Sequence, residues 1–357
     1  MADGTANSLE RTERGLTYPQ PTLPLAGEAV EVAKGVLWLR HALPMALDHI
    51  NVYAIRDGDG WVIVDTGLDT PTTRADWERA LAGSLQGLPV NRLIVTHMHP
   101  DHLGLAGWLT QVTGATFMIS RLEYLSARMH VAEDMEGATP QAEAFYRRQG
   151  WDDAAIERWK SRFGRMSRSV SPLPPQYARL SEGDVLTIGD DEWTVVIGEG
   201  HSPEHVCLWR KSDGVIIAGD QILPKISSNI GVWDTEPMAD PLKDWLESLE
   251  ALKQRLPSDL LVLPSHGEPF YGVTTRLDAL LRGHEVGLKR LGKSLRQKCR
   301  SIDVFGALFA RTIGPELLGM ATAEALAHLN YLEGQGRAVR ETDEQGVEWW
   351  IGVERDQ

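Results

Sequence analysis

The sequence predicts an α/β protein with a helical insertion and a small C-terminal module of helices and a hairpin. Three observations carry this. Between residues 28 and 272, short Val- and Ile-rich runs ending in Gly, Asp or Asn alternate with helix-spaced segments. Residues 121–172 interrupt that alternation with charged, helix-patterned sequence broken by Gly and Pro. From residue 273 to 357, long helical stretches end in a strand–turn–strand pattern.

Taken in order, residues 1–27 are polar and punctuated by Pro19, Pro21 and Pro24, an N-terminal arm either loosely ordered or packed down as an extended leader. GVLWLRHA (35–42), INVYAIR (50–56), WVIVDTG (61–67) and RLIVTH (92–97) read as strands. RDGDGW (56–61) carries a hairpin signal between two of them. Residues 72–85 and 103–113 have helical spacing. In the insertion at 121–172, Met, Phe, Tyr and Trp recur, which fits a lid or substrate wall; a solvated surface insertion is the plainer alternative. DVLTIG (184–189), EWTVVIGEGH (192–201), VCLWR (206–210) and GVIIAGD (214–220) are further strands, followed by a helix over 241–255 and a buried strand in DLLVLPSHGEP (259–269). The tail reads as helix (321–336), strand (337–342), turn and strand (347–353), the plan of a winged-helix module.

Bulk composition narrows the class. There are 50 acidic against 36 basic residues, a formal charge of -14, which disfavours a chain built throughout to coat nucleic acid. Two cysteines, Cys207 and Cys299, imply no disulfide framework and exclude thiolate zinc clusters. No uninterrupted apolar run is long enough for a membrane span, and the opening MADGTANSLERTERG lacks the features of a secretory leader. The expectation is a cytoplasmic enzyme with no membrane partner.

Ligand-type side chains gather at the ends of the β-type runs. His97, His99, Asp101 and His102 follow RLIVT, His201 follows WTVVIGEG, Asp220 follows GVIIAG, and His266 follows DLLVLPS. Strand ends bring sequence-distant groups to one rim of a sheet. Seven nitrogen and oxygen ligands exceed one tetrahedral zinc and suit two metals, with one carboxylate between them and a bridging hydroxide. The spacing His97-x-His99 lets two imidazoles face one metal, while Asp101 and His102 turn toward the second. An all-His/Asp set suits Zn2+ best, with Mn2+ or Fe2+ as alternatives.

THMHPDHLG (96–104) matches the H-x-H-x-D-H signature of the metallo-β-lactamase superfamily. VIVDTG, GEGHSPEH, IIAGDQIL and LPSHGEP resemble its other motifs in the same order. The resemblance spans roughly residues 30–270 and implies an αββα sandwich with a binuclear site between two sheet edges. It also implies that His97, His99 and His201 hold the first metal, that Asp101, His102 and His266 hold the second, and that Asp220 bridges. Asp65 matches a position that orients the metal loop from behind the ligands. The tail is similar to the winged-helix domain carried by one group of these hydrolases.

A hydroxide shared by two metals would be the nucleophile, with Asp101 steering a proton, so hydrolysis is the expected reaction. His205 is a candidate supporting residue behind the metal ligands, and Cys207 reads as a buried structural thiol. The leading expectation is a small-molecule acyl substrate (an ester, thioester or lactone), with Asn229 and Trp233 of the loop 224–234 as pocket candidates. The alternative is a metal-dependent ribonuclease, because residues 276–311 carry nine Lys or Arg against three acidic residues. The expected recognition helix, however, has two glutamates and no Lys or Arg, so a module that packs on the metal domain or forms a homodimer contact is the plainer expectation.

Overall fold

The computed structural model describes residues 11–19, 22–45 and 47–353. In chain order, β1 (Arg11–Glu13) and β2 (Leu16–Tyr18) form a hairpin, and β3 (Ala29–Ala33), β4 (Val36–Ala42), β5 (His49–Asp57) and β6 (Gly60–Val64) a meander. Helix α1 (Pro71–Ala82) leads to β7 (Val90–Ile94), and α2 (Pro100–Leu103) with α3 (Ala106–Thr113) leads to β8 (Thr116–Ser120). The insertion supplies α4 (Arg121–Glu136), α5 (Pro140–Arg148), α6 (Asp153–Lys160) and α7 (Arg165–Arg168) before β9 (Ala178–Leu180). There follow β10 (Val185–Ile188), β11 (Asp191–Gly198), β12 (His205–Arg210), β13 (Val215–Gly219), α8 (Pro241–Arg255), β14 (Leu261–Pro264) and β15 (Phe270–Tyr271). The remainder is α9 (Val273–Ser294), α10 (Phe305–Leu308), α11 (Leu318–Gly334), β16 (Ala338–Thr342) and β17 (Glu348–Gly352).

Two sheets stack face to face. The first runs β3-β4-β5-β6-β7-β8-β9 and the second β1-β2-β15-β14-β13-β12-β11-β10. Strand periodicity explains why both faces of each sheet are apolar. In β6, Val62 and Val64 enter the core between the sheets, while Trp61 and Ile63 face the outer core with Trp77 of α1 and Leu109 of α3. Trp193, Val195, Leu208 and Ile217 complete the inner core from the second sheet. Its other face, with Val196, Cys207, Ile216 and Val262, packs under α8, α9 and α11. The result is the expected α/β sandwich of four layers, helix–sheet–sheet–helix.

The structure adds detail to the sequence reading in three places. Residues 11–18 of the N-terminal arm are a hairpin whose β2 pairs with β15 and so extends the second sheet; residues 1–10 and 20–21 of the arm lie outside the described residues. The insertion is anchored: Phe145, Tyr146, Trp151 and Ile156 are buried in one core with α8 and α11, and Trp151 Nε1 donates to Thr322 Oγ1 at 3.1 Å. Helix α11, which would be the recognition helix under the ribonuclease alternative, is buried around most of its circumference, from Ala321 to Leu332. Its polar residues pair internally: Asn330 Nδ2 donates to the Pro237 and Ala239 carbonyls, and His328 faces His284 at 3.3 Å. No helix among the described residues is long and apolar enough to cross a membrane.

Cross-sheet hydrogen bonds gather the strand ends at one rim. Val206 N–H donates to Thr96 O at 2.8 Å, tying the end of β7 to the start of β12. Asn51 N–H donates to Ser265 O, and the Tyr53 hydroxyl to Pro264 O, both at 2.7 Å, tying β5 to the end of β14. The insertion rejoins the sandwich across α3, where a Cβ at Gly107 would lie 1.8 Å from Pro172 O. Gly107→Ala therefore forces backbone apart and is expected to cost about 1–3 kcal/mol. Gly283→Ala in α9, where an added Cβ meets nothing within 4 Å, is expected to stabilise by up to about 1 kcal/mol. Thermal unfolding of both variants checks this; equal melting temperatures would contradict it.

Candidate metal centre

The site starts from a strained residue. Asp65 follows β6 with φ +64°, a left-handed conformation that Asp tolerates better than most side chains. Its carboxylate faces the loop after the parallel neighbour β7. Oδ1 accepts from Thr96 N–H at 2.8 Å, and Oδ2 accepts from the Thr96 hydroxyl at 2.9 Å and from His102 Nδ1–H at 2.8 Å. The Thr96 oxygen, 3.0 Å from His97 Nδ1, accepts in turn from that ring. One buried carboxylate thus sets the position of two imidazoles and turns their Nε2 atoms away from it.

The remaining histidines are aligned by backbone carbonyls. His201 Nδ1 donates to Asn229 O at 2.8 Å, and His266 Nδ1 donates to His49 O at 2.7 Å. Behind Asp220, His205 Nε2 accepts the Asp220 N–H at 3.0 Å, so this histidine holds the loop from behind. A side chain at Gly219 would strike that ring, at 2.4 Å from a Cβ, and φ there is +53°, so glycine is required on both counts.

Much of what faces inward has no hydrogen-bond partner among the described residues. His102 Nε2, His201 Nε2, His266 Nε2 and Asp220 Oδ1 are buried without a hydrogen bond among the described residues. His97 Nε2 lies 2.8 Å from His99 Nδ1. Asp220 stands between two groups: Oδ2 is 3.4 Å from His201 Nε2, while Oδ1 is 3.6 Å from His102 Nε2 and 3.4 Å from His266 Nε2. Asp101 Oδ2 is 3.4 Å from His266 Nε2 and 3.7 Å from His102 Nε2. His97, His99 and His201 form one set of convergent donors, Asp101, His102 and His266 another, and His97, His102 and Asp220 a third, each within 4.8 Å. Buried polar atoms without partners are costly, and here they all point at common centres. Imidazole nitrogens and carboxylate oxygens with no thiolate fit divalent metal ions.

The electrostatics agree. Burial, reinforced by neighbouring imidazoles, drives His97 well below the usual histidine range and His99 to about 3, so both stay neutral with a free lone pair. Burial opposes ionisation of Asp101 and Asp220, yet the surrounding histidines hold both carboxyls below the usual range. The other imidazoles respond differently: although burial opposes it, Asp101 and Asp220 hold His102 well above and His266 above the usual histidine range, so the ionised carboxylates draw positive charge into the centre. Cys207 takes no part: its thiol donates to Ala218 O inside the sheet, and burial pushes its pKa up.

Sequence reasoning missed Glu123, the third residue of α4. Fully buried, its Oε2 accepts from Met98 N–H and its Oε1 from Glu204 N–H, each at 2.8 Å, clamping the two histidine loops together. A glutamate in the first turn of a helix is too common to flag such a role. The carbonyls of His49 and Asn229 leave no side-chain signature either. Of the pocket candidates, Trp233 is 37% exposed on its loop, and Asn229 is engaged at both ends, its Nδ2 donating to Glu324 Oε2 at 2.9 Å.

Asp65→Asn tests the frame. Asn accepts the same φ, but its amide presents N–H where His102 Nδ1–H needs an acceptor, which favours the tautomer protonated at Nε2. Metal affinity is expected to fall about 10–100-fold with little loss of melting temperature. Unchanged affinity in a chelator competition would contradict the role given to Asp65.

Comparison with known proteins agrees with this geometry. The family described as the metallo-beta-lactamase superfamily matches residues 45–266, and a metallo-beta-lactamase-like C-terminal domain matches residues 288–352. The chain is 25% identical over 321 residues to the probable metallo-hydrolase YqjP of Bacillus subtilis (strain 168), covering 84% of this chain and 92% of that one. It is 24% identical over 251 residues to the acyl-coenzyme A thioesterase MBLAC2 of Gallus gallus, covering 67% and 80% respectively. A crystal structure of a beta-lactamase domain protein from Burkholderia ambifaria is similar with a TM-score of 0.87 and 40% identity, covering 95% of this chain and 98% of that chain. This chain, with its convergent histidines and aspartates at the rim of two sheets, belongs to the metallo-β-lactamase superfamily and is a hydrolase of that superfamily.

Proposed function

We propose that the protein hydrolyses a small acyl compound (an ester, thioester or lactone) at a centre of two divalent metal ions. The observation that carries this is the set of convergent imidazole nitrogens and carboxylate oxygens, four of them buried without a partner among the described residues, which divides into two groups around Asp220. His97, His99 and His201 would hold one ion, and Asp101, His102 and His266 the other, with Asp220 reaching both. Zn2+ suits this donor set best, with Mn2+ or Fe2+ as alternatives. Ions held there would supply a water of near-neutral pKa and a Lewis acid for the oxygen under attack. Asp101 is the more open of the two carboxylates, its side chain 18% exposed against 10% for Asp220, and is the group to take up and hand on a proton.

The choice of an acyl substrate over RNA rests on the fate of the basic segment. Lys289 pairs with Glu285, Lys298 with Glu341 and Arg300 with Asp303, while the Arg276 guanidinium is spent on the Leu223 and Ile226 carbonyls. Three of the nine basic side chains are thereby paired with carboxylates and a fourth is turned inward, which leaves less charge for phosphates. Trp233 of the loop after Asp220, Met129 of α4 and Met320 of α11 are exposed apolar groups of the kind an acyl chain contacts. The similarity to an acyl-coenzyme A thioesterase points the same way.

Metal-loaded protein assayed against aryl esters, lactones, acyl thioesters and a labelled single-stranded RNA is expected to turn over acyl compounds only. Chelator should abolish that turnover and added metal restore it. RNA cleavage that weakens with salt and on neutralising Arg290 and Lys293 would reverse the reading.

A further inference from the structure

The segment between Asp220 and Trp233 has no regular secondary structure, yet it carries the Asn229 carbonyl that aligns His201. Its fixation comes from the C-terminal helices. Arg276 of α9 donates to Leu223 O and Ile226 O, and Ser227 Oγ lies 3.4 Å from His284 Nε2 of the same helix. From α11, Ala323 O accepts the Val232 N–H at 3.0 Å, and Glu324 Oε2 accepts from Asn229 Nδ2 at 2.9 Å. Asn229 therefore lies between the metal centre and α11: its carbonyl meets His201 and its amide meets Glu324.

We propose that Glu324 is a positioning residue for the metal centre, acting through Asn229 on the orientation of His201. This rests on the assignment of His201 as a metal ligand. A loop carbonyl directs an imidazole only if the residue bearing it is held, and the Glu324 bond is the one that grips the Asn229 side chain among the described residues. Packing alone does not ask for a carboxyl at this position. Its neighbours Ala323, Ala325 and Leu326 are buried apolar residues, and an apolar side chain would avoid the cost of burying an acid. Burial lifts the Glu324 carboxyl to about 7, and either protonation state keeps an oxygen able to accept from the Asn229 amide. The C-terminal helices are by this account part of the metal centre, and their loss would be felt first as a loosened His201.

The test uses the full chain loaded with Co2+, its absorption spectrum reporting ligand geometry and a chelator competition reporting affinity. His201→Ala is the reference. Glu324→Ala is expected to weaken metal binding about 10–100-fold and to alter the cobalt spectrum. Glu324→Gln, which keeps an accepting oxygen, should stay within about threefold of the parent. Asn229→Ala should match Glu324→Ala, and the double variant should be no worse than either single one, because both remove the same bond. A Glu324→Ala protein with lowered melting temperature but unchanged affinity and spectrum would overturn the proposal, as would single effects that multiply in the double variant. If His201→Ala itself leaves metal binding intact, the ligand assignment fails and the proposal falls with it; if only His201→Ala has an effect, the assignment stands and the role of Glu324 does not.

Discussion

The arrangement depends on one buried carboxylate. Asp65 sits at the end of a fully buried strand in a left-handed conformation and spends its lone pairs on Thr96 and His102. Fixing those groups sets the tautomer and direction of His102 and, through the Thr96 oxygen, of His97. Everything nearer the centre follows from that choice, because a histidine whose Nδ1 is satisfied from behind offers its Nε2 lone pair in front. The same device recurs with backbone carbonyls at His201 and His266. The frame lies in the protein's own hydrogen bonds.

That frame draws on every part of the chain. The first sheet supplies Asp65 and the 97–102 loop, and the second supplies His201, Asp220 and His266. Glu123 from the insertion joins the loops of the two sheets, and α9 and α11 hold the segment that follows Asp220. The C-terminal helices share a core with α8 and with the aromatic residues of the insertion. Most of the circumference of α11 is buried in that core.

Much of this was legible in the sequence, and the reasons are physical. Period-two alternation exposed the strands, and ligand-type residues at strand ends stood out because packing does not call for them. The His/Asp cluster was visible because its donors are side chains at short spacing. The carbonyls of His49 and Asn229 were invisible because a backbone oxygen has no residue code. Glu123 was hidden by its ordinary place in a helix first turn, and the β1–β2 hairpin by strands of three residues, too short for a period to register. The absence of Lys and Arg from α11 was a readable sign against a groove-reading role, but the internal partners of His328, Asn330 and Thr322 have no signature in the sequence.

The central claim is that the convergent nitrogens and carboxylates form two adjoining sites for divalent ions. The most direct measurement is the metal content of the purified chain at equilibrium, for the parent protein and for His97→Ala and His266→Ala. The account predicts about two ions per chain in the parent and loss of tight binding at the affected site in each variant. A parent protein that takes up no divalent ion specifically, or variants that keep the full complement, would contradict it.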